Sequence, residues 1–344
     1  MTVLAACLLL AAVFFGTLVL TGKVRAGLLR RAILDIPNER SSHARPVPRG
    51  GGIAIVATVL PAWLVVIAAG AVPPSTIIVV AGGAALAALS FLDDLSSRPA
   101  AQRFAVQIAA VAAGIAALPH GGWVFQGWLP PVLDRAAAGL CWLWFVNLYN
   151  FMDGIDGIAG TETACLGVGV ALVPAAAQAL AGPAVLALAC AAAALGFLRW
   201  NWHPASIFMG DVGSVPLGYL LGFLLLGLAA HGLWQPALIL PLYYLTDATW
   251  TLLRRLIRRE KVWQAHRKHF YQRAVQKGLR HDAVVRRILA ADLVLVALAL
   301  WSAWSGGGAS LLPLLAAAAT VAALLAELSR KRRPAGVAGS GRAA

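Results

Sequence analysis

Charged residues are scarce in this chain. They make up 12% of its 344 residues, hydrophobic residues make up 60%, and only fourteen residues are Asp or Glu. With a mean hydropathy of +0.78, this composition excludes an ordinary water-soluble domain and indicates a polytopic membrane protein. The sequence contains no internal repeat and no separate soluble domain.

Cysteine is also rare. The chain has four cysteines, none in a CxxC pair, and each lies inside an apolar run. This distribution argues against a zinc or redox motif and favours cysteine as a small apolar packing residue. The four are Cys7, Cys141, Cys165 and Cys190.

Long apolar runs dominate the chain instead. Eleven of them have about the 17–25 residues that a membrane-spanning helix needs, although short links between residues 163 and 199 leave that count open by one. They predict an all-α fold with about eleven transmembrane helices. Residues 1–330 are expected to form a single integral membrane domain, and residues 331–344 a basic, disordered tail. The runs lie near residues 2–20, 52–70, 75–92, 103–118, 132–149, 160–180, 183–199, 213–230, 234–252, 288–304 and 309–327.

Lysine and arginine are distributed unevenly between the loops. Of the twenty-eight, all but Arg135 lie in alternate loops or at their borders. This asymmetry predicts that those loops are cytoplasmic, with a periplasmic N-terminus and a cytoplasmic C-terminus. The net charge of +14 and the pI of 10.6 then reflect basic residues that face an anionic inner leaflet, so nucleic acid is not a predicted partner.

Five of the fourteen carboxylates lie in three short segments at the ends of apolar runs. They are Asp93 and Asp94 in FLDDLSSR, Asp153 and Asp156 in NLYNFMDGIDG, and Asp211 in FMGDVGS. An ionisable group at the membrane border needs a cationic partner, and the predicted topology places all five on the cytoplasmic side. Several carboxylates that face a phosphate-rich ligand imply a divalent cation between them.

The segment NLYNFMDGIDG is the most specific of the three. Asn147, Asn150 and Asp153 recur every three residues and share one face of a helix. Gly154 and Gly157 allow the backbone to approach a ligand closely. The amide and carboxylate oxygens suit Mg²⁺ or the groups of a base and a sugar, whereas either asparagine alone is also explained by a hydrogen bond between helices.

The aspartate pair and the glycine-flanked aspartate each have two readings. Adjacent side chains on a helix point about 100° apart, so Asp93 and Asp94 can contact different partners or both face water. Arg103 starts the next apolar run and either faces the same site or is an ordinary border arginine. Asp211 and Ser214 are placed to cap a helix, which creates a site favourable to anions or is only a cap.

Two basic segments are candidates for phosphate binding. In WQAHRKHFYQR, His266 and His269 lie one helical turn apart with Arg267 and Lys268 between them. These cations oppose a bound dication and suit a phosphate, and the alternative is a solvated basic loop near lipid headgroups. The segment RPVPRGGGI, residues 45–53, either approaches phosphate or anchors the helix that follows it.

The order of these motifs carries a resemblance to a known family. FLDDLSSR, NLYNFMDGIDGIAG, FMGDVGS and HRKHFYQR, over about residues 35–275, resemble the polyprenyl-phosphate N-acetylhexosamine-1-phosphate transferases (glycosyltransferase family 4). That superfamily includes the phospho-MurNAc-pentapeptide translocase and the GlcNAc-1-phosphate transferases that start O-antigen or teichoic-acid synthesis. HRKHFYQR and SSHARPVPRGGGI look most like the bacterial branch that initiates O-antigen synthesis. The family's lysine after the aspartate pair is absent, which leaves Arg98 or Arg103 as the basic partner.

The resemblance implies an exchange at the cytoplasmic face of the bacterial inner membrane. A UDP-sugar and undecaprenyl phosphate would give undecaprenyl-diphospho-sugar and UMP, with Mg²⁺ as the cofactor and Mn²⁺ as an alternative. The sugar stays open between GlcNAc and its 6-deoxy analogues. The oligomeric state stays open too, and a homodimer is one alternative.

The resemblance also assigns roles to residues. It implies Asp93, Asp94 and Asp153 as catalytic residues and Asp211 and Asn150 as metal ligands. It implies nucleotide contacts for Asn147, Asp156 and Phe208, and phosphate contacts for Arg103, His266, Arg267 and His269. The translocase's histidine cluster is reduced here to His266 and His269, which argues against the muropeptide substrate.

An ion-coupled transporter is the rival function, since acids within a membrane also mark ion pathways. A transporter is expected to place its acids near the midplane, in broken helices with inverted repeats. The acids here cluster at the inner ends of the apolar runs, and a purely structural scaffold leaves them unexplained.

Overall fold

The computed structural model describes residues 1–37, 45–96, 98–119, 121–176, 182–262, 266–306 and 310–330. The predicted tail at residues 331–344 lies outside the described residues. Within the described ranges nearly all regular structure is helical, and the prediction of an all-α fold is confirmed. The two strands, β1 (Leu34–Asp35) and β2 (Val47–Pro48), form one short antiparallel pair with Leu34 opposite Pro48.

The helices follow the predicted apolar runs closely. They are α1 (Val3–Arg30), α2 (Gly52–Ala68), α3 (Thr76–Leu95), α4 (Ala100–Ile115), α5 (Pro131–Met152), α6 (Ile158–Ala176), α7 (Gly182–Asn201), α8 (Asp211–Ala230), α9 (Trp234–Ile239), α10 (Leu242–Ile257), α11 (Phe270–Gln276), α12 (His281–Trp304) and α13 (Leu312–Ser329). Several bounds differ from the expectation, and the short helix α11 lies outside the predicted runs. The ninth run is divided at Pro241 into α9 and α10, and α1 continues ten residues beyond its predicted end.

Six of the described helices are long and apolar enough to cross a membrane. They are α1, α3, α6, α7, α8 and α13, and α2 and α4 are shorter apolar helices. The protein is therefore a multi-pass membrane protein by its helices, and the count of eleven spans and the direction of the termini remain predictions.

Helix α8 lies at the centre of the bundle. In its most apolar stretch 94% of the residues are buried, against 11% in that of α1. It packs against α3 and α5, and also against α2, α6, α7 and α9. Trp142 of α5 stacks on Tyr219 of α8 with ring centroids 4.7 Å apart and donates to the Tyr219 carbonyl at 2.8 Å. Aromatic stacking and a satisfied indole N–H thus join α5 to α8 inside the membrane domain.

Glycine brings the first turns of α2 and α8 into backbone contact. A Cβ atom on Gly52 would lie 2.2 Å from the Cα of Gly213, so only glycine permits this approach. The preceding loop is fixed by backbone hydrogen bonds. Phe208 N–H donates to the Pro48 carbonyl at 2.8 Å, and Gly51 N–H donates to the Phe208 carbonyl at 2.8 Å. The segment at residues 45–53 is therefore held beside the start of α8.

The predicted orientation can be tested by labelling from outside the cell. With the four native cysteines replaced, a cysteine at exposed Trp128 should react with a membrane-impermeant maleimide in intact cells. A cysteine at exposed Lys261 should react only after permeabilisation, because the Lys/Arg asymmetry places this loop in the cytoplasm. The reverse labelling pattern would contradict the predicted topology and the cytoplasmic active site with it.

Candidate active site

Arg49 lies between two of the five carboxylates. Its Nη2 is 2.5 Å from Asp211 Oδ1, and its Nε is 3.7 Å from Asp94 Oδ1. Asp153 is also close enough to interact with the charge of Arg49. The last turn of α3, the first turn of α8 and the end of α5 therefore meet at one end of the bundle, around a single guanidinium group.

Asp93 contacts a different cation from its neighbour Asp94. Its Oδ2 is 2.9 Å from Arg103 Nη1, and its Oδ1 accepts the backbone N–H of Arg98 at 2.6 Å. Of the two arginines considered as the basic partner of the aspartate pair, Arg103 supplies its side chain and Arg98 its backbone. The two adjacent carboxylates thus point to separate subsites, as the 100° step of a helix allows.

Asp153 follows the last residue of α5 and lies within electrostatic range of Arg49, Asp211 and Asp156. Burial raises the pKa of Asp153 to about 7, the carboxylates of Asp211 and Asp156 act in the same direction, and Arg49 acts against them. A carboxyl group with this pKa is present in both protonation states near neutral pH. It can therefore accept or release a proton in the working range of an enzyme.

The two asparagines of the NLYNFMDGIDG segment have different surroundings. Asn150 Oδ1 accepts the hydroxyl of Ser214 at 2.5 Å, which places Asn150 beside the first turn of α8. Asn147 donates from Nδ2 to Gln107 Oε1 of α4 at 2.9 Å and to the Leu143 carbonyl at 2.8 Å. The structure therefore brings Asn150 to the side of Asp211, and Asn147 takes part in a hydrogen bond between helices. Its nucleotide role stays a prediction.

Asp156 is held by two histidines that no motif in the sequence indicated. Its Oδ2 is 2.6 Å from His203 Nδ1 and 3.2 Å from His281 Nδ1, and it accepts the Ala205 N–H at 3.1 Å. Burial acts to raise the pKa of Asp156, but the hydrogen bonds and charge of His281 and the bond from His203 hold it below its usual value. The side chain thus remains a carboxylate at neutral pH.

The three ligand-type atoms of this cluster, on Asp156, His203 and His281, lie within 4.8 Å of one another. They already satisfy each other as hydrogen-bond partners. His203 could have been suspected from its place eight residues before Asp211, whereas His281 begins α12 without any local motif.

Phe208 is fixed by its backbone. Besides its bonds to Pro48 and Gly51, it accepts the N–H of Gly50 at 3.1 Å and forms a parallel bridge with Arg49. Its ring is partly exposed at the end of the bundle. The predicted nucleotide contact of Phe208 remains a prediction.

The histidine segment packs against the loop that follows α5. Tyr271 of α11 donates its hydroxyl to the Phe151 carbonyl at 3.0 Å, and a Cβ on Gly154 would lie 2.1 Å from that hydroxyl oxygen. Glycine at position 154 therefore permits α11 to dock next to Asp153. The segment that carries His266 and His269 thus joins the same end of the bundle.

The two predicted phosphate-binding histidines differ in what they can donate. His269 is buried, and its Nδ1 lies 3.1 Å from Asp247 Oδ1. Burial lowers the pKa of His266 to about 4, and the neighbouring His269, Arg255 and Lys268 act in the same direction. At neutral pH His266 is uncharged, so it can offer a hydrogen bond to a phosphate but no positive charge. Arg267 between them accepts Gln276 Nε2 on its carbonyl oxygen at 2.9 Å.

A cavity of about 490 Å³ opens beside Arg49 and Asp94. Its walls come from α1, from the loop before α2 and from the end of α3, and they combine apolar side chains with three arginines. The lining residues are Val24, Gly27, Leu28, Arg30, Arg31, Ile33, Arg49, Gly50, Ile53, Phe91 and Asp94. Such a surface suits a ligand with an apolar chain and an anionic end.

Comparison with known proteins finds one family model and relatives whose names describe related transferases. Residues 76–229 match the model of glycosyl transferase family 4. The chain is 30% identical over 283 residues to a probable undecaprenyl-phosphate N-acetylglucosaminyl 1-phosphate transferase of Bacillus subtilis, which covers 77% of this chain and 75% of that protein. It is 31% identical over 306 residues to a decaprenyl-phosphate N-acetylglucosaminephosphotransferase of Mycolicibacterium smegmatis, with 77% and 74% covered. A phospho-N-acetylmuramoyl-pentapeptide-transferase of Chlamydia trachomatis is 33% identical over 189 residues, 53% of either chain.

Asp153 should make the stability of the protein depend on pH. Its pKa is about 7 in the folded state and near 3.8 when unfolded, so the folded state binds the proton more tightly and loses stability as pH rises from about 4 to about 7. Asp153→Asn should flatten this decline, which is worth about 1.4 kcal/mol per unit of pKa difference. Thermal unfolding in detergent with EDTA, across that range, measures it. Equal slopes for both proteins would contradict the raised pKa.

Proposed function

The chain belongs to glycosyl transferase family 4, the polyprenyl-phosphate N-acetylhexosamine-1-phosphate transferases, and on that premise we propose the reaction it catalyses. It transfers N-acetylhexosamine-1-phosphate from a UDP-sugar to undecaprenyl phosphate and releases UMP. The single observation that carries the proposal is the meeting of Asp94, Asp153 and Asp211 around Arg49. Two polyanionic substrates can meet only where charge is screened, and this is the part of the described structure where acids and a cation converge.

Mg²⁺, the cofactor that the family implies, fits the chemistry of this site. Carboxylate and amide oxygens are the ligands that Mg²⁺ prefers. Asp211 offers a carboxylate in the first turn of α8, where Ser214 bonds to the amide oxygen of Asn150. The guanidinium of Arg49 between Asp94 and Asp211 indicates that the site favours positive charge. We assign Asp211 and Asn150 to hold the cation, with Mn²⁺ as the alternative. When bound, it would screen the charge of the pyrophosphate and of the leaving UMP.

Asp93 and Arg103 form the acceptor side of the site in this proposal. Arg103 holds the lipid phosphate, and Asp93 orients it or takes its proton. An oxygen of the lipid phosphate then attacks the β-phosphorus of the UDP-sugar. The new P–O bond forms as the bond from that phosphorus to the bridging oxygen breaks, and UMP leaves with the bridging oxygen. Asp94 and Asp153 complete the set of carboxyls proposed to act at this point.

The cavity beside Arg49 suits the acceptor lipid. Its apolar wall would hold the first units of the polyprenyl chain, and Arg30 and Arg31 would attract the lipid phosphate to the end of α3, where Arg103 holds it. Arg49 belongs to both this cavity and the carboxylate cluster, so a lipid bound in the cavity would bring its phosphate next to the proposed reaction centre.

The donor nucleotide is assigned to the side of Asp156 and Phe208. Because His203 and His281 favour the charged form of Asp156, its carboxylate is ready to accept the N–H of uracil. Asn147 is kept as a nucleotide contact of the proposal. Arg267 and the uncharged His266 are proposed to bind phosphate oxygens, whereas His269, bonded to Asp247, acts by holding their segment in place.

GlcNAc is the sugar that we favour, because the names of the relatives from Bacillus and Mycolicibacterium specify it. The lipid-linked product would start an envelope polysaccharide at the cytoplasmic face of a bacterial inner membrane. O-antigen is the polysaccharide indicated by the histidine motif, and a cell-wall polymer is the one that the relatives suggest. A homodimer is retained as the proposed alternative to a monomer.

Release of UMP from a panel of UDP-sugars tests the reaction directly. Purified protein with undecaprenyl phosphate and Mg²⁺ should release UMP from UDP-GlcNAc or from a 6-deoxy analogue. The product should be extractable as a diphospho-sugar lipid. UMP release without a lipid-linked sugar, or no release from any UDP-sugar, would contradict the proposal.

Replacement of Asp93 and replacement of Asp211 should impair different steps of the reaction. Asp93→Asn should lower turnover about 10²–10⁴-fold, as expected for a lost general base, and still bind UDP-sugar with Mg²⁺ in calorimetry. Asp211→Asn should lose both turnover and Mg²⁺-dependent donor binding, because a metal ligand loses its charge.

Glu327→Gln is the matched control, since Glu327 pairs with Arg287 between α12 and α13 and its loss should leave turnover near normal. Normal turnover in Asp93→Asn would remove that residue from the mechanism. Lost donor binding in Asp93→Asn would instead move it to the metal site.

A further inference from the structure

Two carboxyl groups inside the helix bundle have only each other as hydrogen-bond partners. Glu162 of α6 is 1% exposed and Asp292 of α12 is 2% exposed. The two side chains interact with one another, and in the described part of the chain no other donor reaches any of their four carboxyl oxygens. Two buried carboxylates without a counter-charge would be strongly destabilising. A group that the chain does not supply must therefore neutralise them.

The two side chains act mainly on each other. Within the described ranges, no Lys, Arg or His interacts electrostatically with either carboxyl, and each has the other as its charged neighbour. The remaining ionisable groups within electrostatic range come from α5, α6 and α10, and all of them are neutral or acidic. They are Tyr149, Cys165, Tyr243 and Tyr244.

Buried hydroxyl groups in the same region also lack partners. The hydroxyl of Tyr244 is fully buried without a hydrogen bond among the described residues, and Glu162 is its strongest charged neighbour. The hydroxyl of Thr161, adjacent to Glu162 in sequence, is likewise unsatisfied. Buried polar atoms in native proteins are almost always satisfied, so a group of unsatisfied oxygens indicates a bound species. Oxygen atoms alone are the ligand set of hard cations.

We propose that Glu162 and Asp292 form an intramembrane site for small hard cations. The pair keeps one proton, shared between the two carboxyls, and a second cation, either H⁺ or Na⁺, neutralises the remaining charge. The neutral pair then has no unbalanced charge in the low-dielectric interior of the bundle. The Tyr244 hydroxyl supplies a further oxygen for this second cation.

The proposed cation site lies on α6 and α12, and both helices begin beside Asp156. Helix α6 begins two residues after Asp156, and α12 begins with His281, whose Nδ1 is 3.2 Å from Asp156 Oδ2. A bound cation draws α6 and α12 together, whereas two ionised carboxylates would push them apart. Cation binding should therefore stabilise the fold. If the proposed function holds, it should also lower the KM for the UDP-sugar by keeping Asp156 in place.

Thermal unfolding tests the site without any need for turnover. The protein is unfolded in detergent with EDTA at about pH 6 and about pH 8.5, in NaCl or in choline chloride of equal ionic strength. For the unaltered protein we expect Tm to fall as pH rises in choline chloride. If the second cation is Na⁺, NaCl should restore Tm at the higher pH. If it is H⁺ alone, the two salts should give the same Tm.

Glu162→Gln and Asp292→Asn should both lose most of this response. The titration of Asp153 contributes equally to the pH dependence of Tm in all these proteins, so it cancels in the comparison. Asp134→Asn is the matched control, because Asp134 is also a fully buried carboxylate but accepts the N–H groups of Val124 and Phe125 at 3.2 and 2.8 Å. It should keep the response of the unaltered protein. If one variant fails to fold, the other carries the comparison.

The proposal is overturned if the unaltered protein and both variants respond identically to pH and to Na⁺. A response that depends on Glu162, in a protein that releases no UMP, would contradict the proposed function and leave the cation site in place. Turnover without such a response would contradict the cation site and leave the proposed function in place.

Discussion

The pairing of Arg49 with Asp94 and Asp211 is the interaction on which the arrangement of the site depends. Three carboxylates at one end of a helix bundle repel one another and are poorly solvated, so they can lie together only around positive charge. Arg49 reaches them because the Gly52–Gly213 contact lets the first turns of α2 and α8 touch. Backbone packing by glycine and side-chain electrostatics thus combine to hold together segments that are remote in sequence.

The buried acids of this protein fall into two kinds. Asp247 accepts the backbone N–H of Phe270 and Tyr271 and contacts His269, so its charge is stabilised while it ties α10 to α11. This carboxylate supports the histidine segment without contacting a substrate. Glu162 and Asp292 have only each other as hydrogen-bond partners among the described residues, so protons or other cations must neutralise them. The contrast shows why burial alone does not define the role of an acid in a membrane domain.

Much of the fold and part of the site could be predicted from the sequence. The apolar runs correspond to helices because a long run of apolar residues is stable in lipid only when its backbone hydrogen bonds are satisfied within one helix. The acid-bearing segments at the ends of these runs do meet at one end of the bundle, and Asn150 lies beside Ser214 at the start of α8. These are local properties, since the length of a run and the position of an acid at its end can be counted along the chain.

The partners of the polar side chains were decided by the tertiary structure alone. Asn147 bonds to Gln107 forty residues away, and the Asp156 carboxylate contacts His281, which is 125 residues away. The division of the ninth run at Pro241 was likewise not apparent from hydropathy. A sequence pattern shows which face of a helix is apolar, but not which helix lies against it. Charge compensation depends on that neighbour, so the role of Arg49 and the isolation of Glu162 became visible only in the folded protein.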